Sequence, residues 1–212
     1  MSNPAETSES HLEVADSADR VQNLVRRAKD GDEAAFDDLV REFQRPVFNL
    51  AYRMLNNYEE ANDAAQDVFI KVHRSLASFR GDSKFSTWLF TVAANMCRSR
   101  IRKIVRLNKH EAGSLDETYD DDTSPKQVAV DPAAGADTLL ENQEVKQIVE
   151  ACINELDDDF KLVMIMKDLQ HMQYEEIAEA LDCNLGTIKS RLFRARAQVR
   201  DKLKERLTGY FD

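Results

Sequence analysis

Glycine and proline are scarce, with six and four in 212 residues. That excludes the many tight turns a sandwich or barrel would need. No alternating run of Val, Ile and Thr suggests a sheet strand. No apolar run is long enough to span a bilayer, and the polar N-terminus lacks a signal-peptide core. The expectation is a cytoplasmic protein with no direct membrane insertion. Cys97, Cys152 and Cys183 lie far apart. They offer neither a disulfide framework nor the Cys-x-x-Cys spacing of zinc. His11, His73, His110 and His171 are equally scattered. Asp120-Asp121-Asp122 and Asp157-Asp158-Asp159 are runs rather than helical i, i+3 or i, i+4 pairs, and no Glu-x-x-His occurs. An enzyme built on clustered carboxylates or a bound metal is therefore not expected, and neither is any cofactor. What remains is a chain rich in helix formers, read as all-α.

The net charge of −10 argues at first against nucleic acid. Its distribution argues the other way. Residues 1–19 carry five acids and no Lys or Arg, and residues 111–144 carry ten acids and one Lys. Residues 98–110 carry six basic residues and no acid; residues 185–207 carry eight basic and two acidic. Acid gathers in two tracts and base at two places in predicted helices. The overall acidity weakens unassisted DNA binding by long-range repulsion, so DNA is expected to be met together with a larger partner.

Along the chain, residues 1–19 read as a disordered tail. A short helix is predicted over 21–29, stopped near Asp30-Gly31-Asp32. A second follows with Phe36, Leu39, Val40, Phe43, Val47, Leu50, Ala51 and Met54 inward; Pro46 inside it should kink or restart it. Asn56-Asn57 marks a turn. The helix over about 59–77 turns Ala61, Ala65, Val68, Phe69, Val72 and Leu76 to one side and Asp63, Gln66, Asp67, Lys71 and Arg74 to the other. A further helix is predicted over about 85–104, burying Phe85, Leu89, Ala93 and Met96. Periodicity then fails, and 107–138 reads as a flexible acidic linker. A second helical unit, 139–212, opens with Leu139, Val145, Ile148, Val149, Cys152 and Leu156 on one face. The expected architecture is two small helical domains joined by that linker.

Two stretches carry chemistry. In 174–196 a helix with Ile177, Ala178 and Leu181 at helical spacing is followed by the turn Asp182-Cys183-Asn184. A basic helix with Ile188 and Leu192 comes next, its start signalled by Gly186-Thr187. The small Ala178 would let the two helices cross closely. A helix-turn-helix with so basic a second helix suits a major groove; the plainer reading is a solvated amphipathic pair. The other stretch is the stripe Trp88, Val92, Asn95, Ser99, Arg102, one face of a helix that runs into Arg98, Arg100, Arg102 and Lys103. An aromatic beside an amide and several guanidinium groups can hold an unpaired base and its phosphates. By spacing alone, Trp88 in the core and a solvated arginine face explain it equally well.

These residues resemble a known family. Asp63 through Val72, Phe79-Arg80-Gly81-Asp82-Ser83-Lys84-Phe85-Ser86-Thr87-Trp88-Leu89 and Ala94-Asn95 are similar to region 2 of bacterial extracytoplasmic-function (ECF) sigma factors. Tyr174-Glu175-Glu176-Ile177-Ala178 and Gly186 through Arg196 are similar to their region 4. The resemblance covers about 21–104 and 139–207. It implies that region 2 occupies 20–106 and region 4 occupies 139–212. It also implies a subunit that directs core RNA polymerase to promoters and promotes DNA melting, in a stress or envelope response. Asp63, Gln66, Asp67 and Lys71 would dock on the β′ clamp, and the β flap would be a second polymerase contact. Arg80, Ser83, Lys84, Trp88, Asn95, Arg98 and Arg102 would melt and read the −10 element. Thr187, Lys189, Ser190, Arg191, Phe193, Arg194 and Arg196 would read the −35 element. The linker would run toward the polymerase active-site channel. An anti-sigma factor is an expected partner.

The sequence departs from the family pattern in places. Asn62 stands where an acid is common, and Gln173 where Ser or Thr often caps a helix, a loss of about 1 kcal/mol. The alternative is another helix-turn-helix activator that is not a polymerase subunit. It would need a receiver or ligand domain, and 20–105 shows no strand pattern.

Overall fold

The computed structural model describes residues 19–112 and 136–208, with side chains throughout except at 108–112 and 136–144. The acidic tail and most of the acidic linker lie outside the described residues. Every regular element described is helical: α1 (19–29), α2 (Glu33–Leu55), α3 (Tyr58–Ser75) with a 3₁₀ turn at Leu76–Ser78, α4 (Phe85–Ala112), α5 (Ala136–Asn154), α6 (Asp158–Met164) continued as a π-turn over Ile165–Leu169, α7 (Tyr174–Ala180) and α8 (Leu185–Leu207).

The helix ends follow from local chemistry. Gly31 takes φ +93°, which ends α1, and the Asp32 carboxylate accepts the Ala35 N–H at 3.1 Å to start α2. Arg27 steadies Asp32 at 2.6 Å, and this bond holds the Asp32 carboxyl below its usual range. Asn56 adopts the left-handed conformation that closes α2, and Asn57 caps α3 by accepting the Glu60 N–H at 3.0 Å. Such side-chain caps satisfy N–H groups that the helix cannot.

Several expectations are corrected. Helix α2 passes through Pro46 without restarting. Helix α4 runs to Ala112, eight residues beyond the predicted end, so the basic stretch after Ile104 is helical. Val145 faces solvent at 40 % exposure, and the buried small residue of α7 is Ala180 rather than Ala178. The cap of α8 is Asn184, which accepts the Thr187 N–H at 2.8 Å and its hydroxyl at 2.9 Å; Gly186 and Thr187 lie inside the first turn. At Gln173 the missing Ser or Thr is offset in part, because the Glu176 carboxylate accepts the Gln173 N–H at 2.8 Å.

The two expected units do not bury separate cores. One contiguous apolar cluster takes in Leu39, Leu50, Val68, Leu89 and Cys97 together with Leu162, Met166, Ile177 and Ile188. Helix α4 packs on α2 and α3 on one side and on α7 on the other. A smaller cluster of Cys152, Leu156, Ala195 and Val199 ties α5 to α8. Asn184→Ala should cost about 1 kcal/mol, since it leaves the first turn of α8 uncapped. Chemical denaturation reads the loss; an unchanged midpoint would show that Leu185 and Gly186 start the helix unaided.

Candidate nucleic-acid interface

The loop between α3 and α4 is held by rings and by one ammonium. Phe79 stacks on Trp88 with centroids 4.9 Å apart and meets Phe85 edge-on at 6.0 Å. Phe43 of α2 closes the group against Phe85 at 5.5 Å. From α1, the Lys29 ammonium donates to the Phe79 carbonyl at 2.7 Å. Beyond that anchor Gly81 turns the chain at φ +82°, and Arg80 and Lys84 stand exposed, with Ser83 partly so. Trp88 is thus half-buried, stacked on Phe79 and tilted against Phe85.

Along α4 the sequence stripe drifts from core to solvent. Val92 is buried, whereas Asn95, Ser99 and Arg102 are exposed, with Arg102 donating to the Ser99 hydroxyl at 3.1 Å. Arg98 is paired with Asp159 of α6 at 2.9 Å. Arg100, in the middle of the basic run, points to α3, where it reaches Glu60 at 2.7 Å and Asp67 at 2.6 Å. Burial works against the Arg100 charge, yet these two carboxylates outweigh it and raise its pKa. Asp67 therefore braces α4, while Asp63, Gln66 and Lys71 stand exposed on α3. Ile70, 48 % exposed, sits among them. Its residue type gives no signal of exposure, since isoleucine is most often buried.

The basic tract of α8 is divided in the same way. Lys189, Ser190 and Arg194 are exposed, and Phe193 is 75 % exposed. Thr187 is partly covered. Arg191 pairs with Asp159 at 2.7 Å, and Arg196 pairs with Asp168 of the π-turn. Lys202 and Arg206 both reach Glu155, whose carboxyl they hold below its ordinary range. Much of the charge read as DNA-seeking therefore fastens α8 to its neighbours. What stays open is a short patch of Lys189, Ser190, Phe193 and Arg194. Tyr174 of α7 lies beneath it, with the Lys167 ammonium 4.8 Å and that of Lys189 5.9 Å from its ring centre.

Of the thiols, Cys183 lies partly exposed in the turn, where its sulfur accepts from Arg191 at 3.6 Å. Cys97 and Cys152 are fully buried, and burial pushes the Cys97 thiol up to about 12. Among the described residues, no group of His, Cys, Asp and Glu could hold a metal ion, and no helix is long and apolar enough to cross a membrane.

Residues 39–106 match the family described as Sigma-70 region 2, and residues 146–199 match Sigma-70, region 4. The ECF RNA polymerase sigma-E factor of Escherichia coli is 33% identical over 183 residues, spanning 86% of this chain and 94% of its own. This chain belongs to the ECF sigma factors. The RNA polymerase sigma-H factor of Pseudomonas aeruginosa is 32% identical over 178 residues, 84% of this chain and 91% of that one. Among solved structures, the sigma factor RpoE bound to the anti-sigma factor NepR from Bartonella quintana superposes with a TM-score of 0.61 at 25% identity, covering 80% of this chain and 96% of that one. CnrH in complex with the cytosolic domain of CnrY shares the fold, with a TM-score of 0.61 at 22% identity over 89% of this chain and 98% of that one. The matched segments place region 2 on α2 through α4 and region 4 on α5 through α8.

Trp88 is the sigma factor's one tryptophan. Phe79→Ala removes the ring that covers it, so its fluorescence emission should shift to the red. Emission unchanged from the parent would show that the stacked pair does not exist in solution.

Proposed function

We propose that this ECF sigma factor docks on the β′ clamp through the exposed row Asp63, Gln66, Ile70 and Lys71 of α3, reads the −35 element with α8, and reads and melts the −10 element with the α3–α4 loop and α4. The observation that carries the −35 assignment is the exposed patch on α8. A ring 75 % exposed on a helix is costly to hydrate, and beside Lys189, Ser190 and Arg194 it suits a groove that offers thymine methyls, base edges and phosphates. Helix α8 also borders an open apolar groove of about 770 Å³ lined by Met164, Val199, Leu203 and Leu207, with Arg196, Arg200 and Lys204 among its other walls. A polymerase element such as the β flap fits there through apolar contact. The complex of RpoE with the anti-sigma factor NepR supports a similar inhibitor for this chain, acting in the cytoplasm and released by a stress or envelope signal.

At the −10 element the α3–α4 loop carries base reading beside the half-buried Trp88. Lys29 fixes the Phe79 carbonyl, and a cleft of about 510 Å³ opens between α1 and the loop, with Gln22, Asn23, Arg26 and Arg80 on its walls. Amides there can bond a base edge, and the guanidinium groups can hold phosphate. Asn95, exposed on α4, supplies another amide close to the Arg98 and Arg102 turn.

Two measurements test this reading. Asp63→Ala combined with Gln66→Ala should weaken capture of core polymerase about tenfold while thermal stability stays the same, since both side chains are exposed. Undiminished capture would remove α3 from the docking surface. Lys29→Ala should relax selectivity at one −10 position on pre-opened DNA and leave binding to a −35 duplex intact. A loss spread evenly over all −10 sequences would instead mark Lys29 as a phosphate contact.

A further inference from the structure

Helix α3 shows solvent two large apolar side chains, Tyr58 at 58 % exposure and Ile70 at 48 %. Its inner side is already filled by Ala61, Ala64, Ala65, Val68 and Val72, so the core needs neither. The two close one row of successive i+4 positions, Tyr58, Asn62, Gln66 and Ile70, and all four are exposed. The row spans about 18 Å at about 1.5 Å per residue. Rows of this spacing are the ridges that pack into the groove of a second helix. Glu59 and Asp63 stand exposed beside it, whereas Glu60 and Asp67 are taken up by Arg100. The surface is a ridge with a ring at one end, an isoleucine at the other, and amides and free acids between.

Tyr58 is also held still. It opens α3, and Asn57 caps that first turn by accepting the Glu60 N–H at 3.0 Å. Its ring meets Phe48 of α2 edge-on with centroids 5.3 Å apart, and Phe48 in turn stacks on Tyr52 at 6.0 Å. Phe48 and Tyr52 rest against the core, and Tyr58 is the outermost of the three. An aromatic side chain on a fixed base loses little conformational freedom when a partner closes on it. Single exposed apolar residues are common and call for no partner. This one shares its row with Gln66 and Ile70, both assigned above to polymerase docking, and that continuity names the occupant. The ridge alone is too narrow to supply the roughly 800 Å² per partner of a stable complex. It suits the end of a larger surface better than a dimer face. We infer that Tyr58 anchors the far end of the polymerase-docking surface, where a helix of the β′ clamp lying along α3 closes an apolar side chain over the ring. This rests on the proposed docking of α3 on the clamp and adds an apolar anchor to it.

Capture of core RNA polymerase by the full-length protein tests the anchor. Tyr58→Ala should weaken capture about tenfold, as truncation of an aromatic anchor does, with an unchanged melting temperature. Tyr58→Phe keeps the ring and should capture like the parent. The contact is apolar, so the loss in Tyr58→Ala should persist as salt is raised, while the loss in Asp63→Ala combined with Gln66→Ala should shrink. Tyr58→Gln is a second truncation, so misfolding of one, visible in thermal melting, leaves the other to decide. Parent-like capture by the folded truncations, with the Asp63 and Gln66 variant impaired, overturns the anchor and leaves clamp docking standing. Parent-like capture by all of them overturns both. A loss in Tyr58→Phe equal to that in Tyr58→Ala overturns the ring contact. A parent that is dimeric in light scattering and becomes monomeric with Tyr58→Ala overturns the choice of polymerase, since the ring then meets a second copy.

Discussion

Both halves of this molecule depend on the burial of α4. Phe85, Leu89, Phe90, Ala93, Ala94 and Cys97 are all withdrawn from solvent, and they occupy more of the helix surface than one neighbour could cover. Helices α2 and α3 take one side and α7 takes the other. A helix apolar over so much of its girth must be enclosed. Burial of each of the large side chains, Phe85, Leu89 and Phe90, is worth roughly 1.5–3 kcal/mol, and the smaller Ala93, Ala94 and Cys97 let the neighbouring helices approach. The same helix carries exposed amide and guanidinium groups at Asn95 and Arg102, so the element that enforces compactness also presents polar groups to solvent.

Charge works in this protein by pairing more than by totals. Fourteen basic residues in two tracts suggested two nucleic-acid faces. The structure commits Arg98, Arg100, Arg191, Arg196, Lys202 and Arg206 to carboxylates on neighbouring helices. The exposed pairs among these, such as that of Arg196, contribute little to stability, about 0–1 kcal/mol each, while Arg98, Arg100 and Arg191 are largely covered and brace α4 and α8 more firmly. Lys189 and Arg194 are exposed and make no ion pair among the described residues.

The helices, the turn at Asn56-Asn57 and the helix-turn-helix were legible because they are local. Apolar spacing and short polar caps act within a few residues. The family was legible because its motifs occupy contiguous blocks. What escaped was set by contacts distant in sequence. Pro46 predicts a break, yet α2 persists because Val47, Leu50, Ala51 and Met54 beyond it are buried. The Phe79–Trp88 stack was not legible either, because nothing in the helix of Trp88 reveals that Phe79 lies over it. Asp159 read as one of a solvated run, and only the fold brings it between two arginines. Val145 kept a helical register that the packing of α5 did not use.

Gly81 shows how the α3–α4 loop can change without cost to the rest. A methyl group placed there would meet nothing within 4 Å, so its constraint is conformational and confined to its own φ of +82°. The loop is anchored at Phe79 by a backbone carbonyl and a ring, and again at Phe85 by burial. Between those anchors Arg80, Asp82 and Lys84 are exposed and contribute no buried surface. Substitution of Arg80 or Asp82 therefore leaves the core untouched, whereas Lys84 also carries the ion pair to Glu176 of α7. Such a loop can change its charge and side chains in single steps, each tolerated by the scaffold, and a gene duplicate could diverge at this surface while its core stays the same.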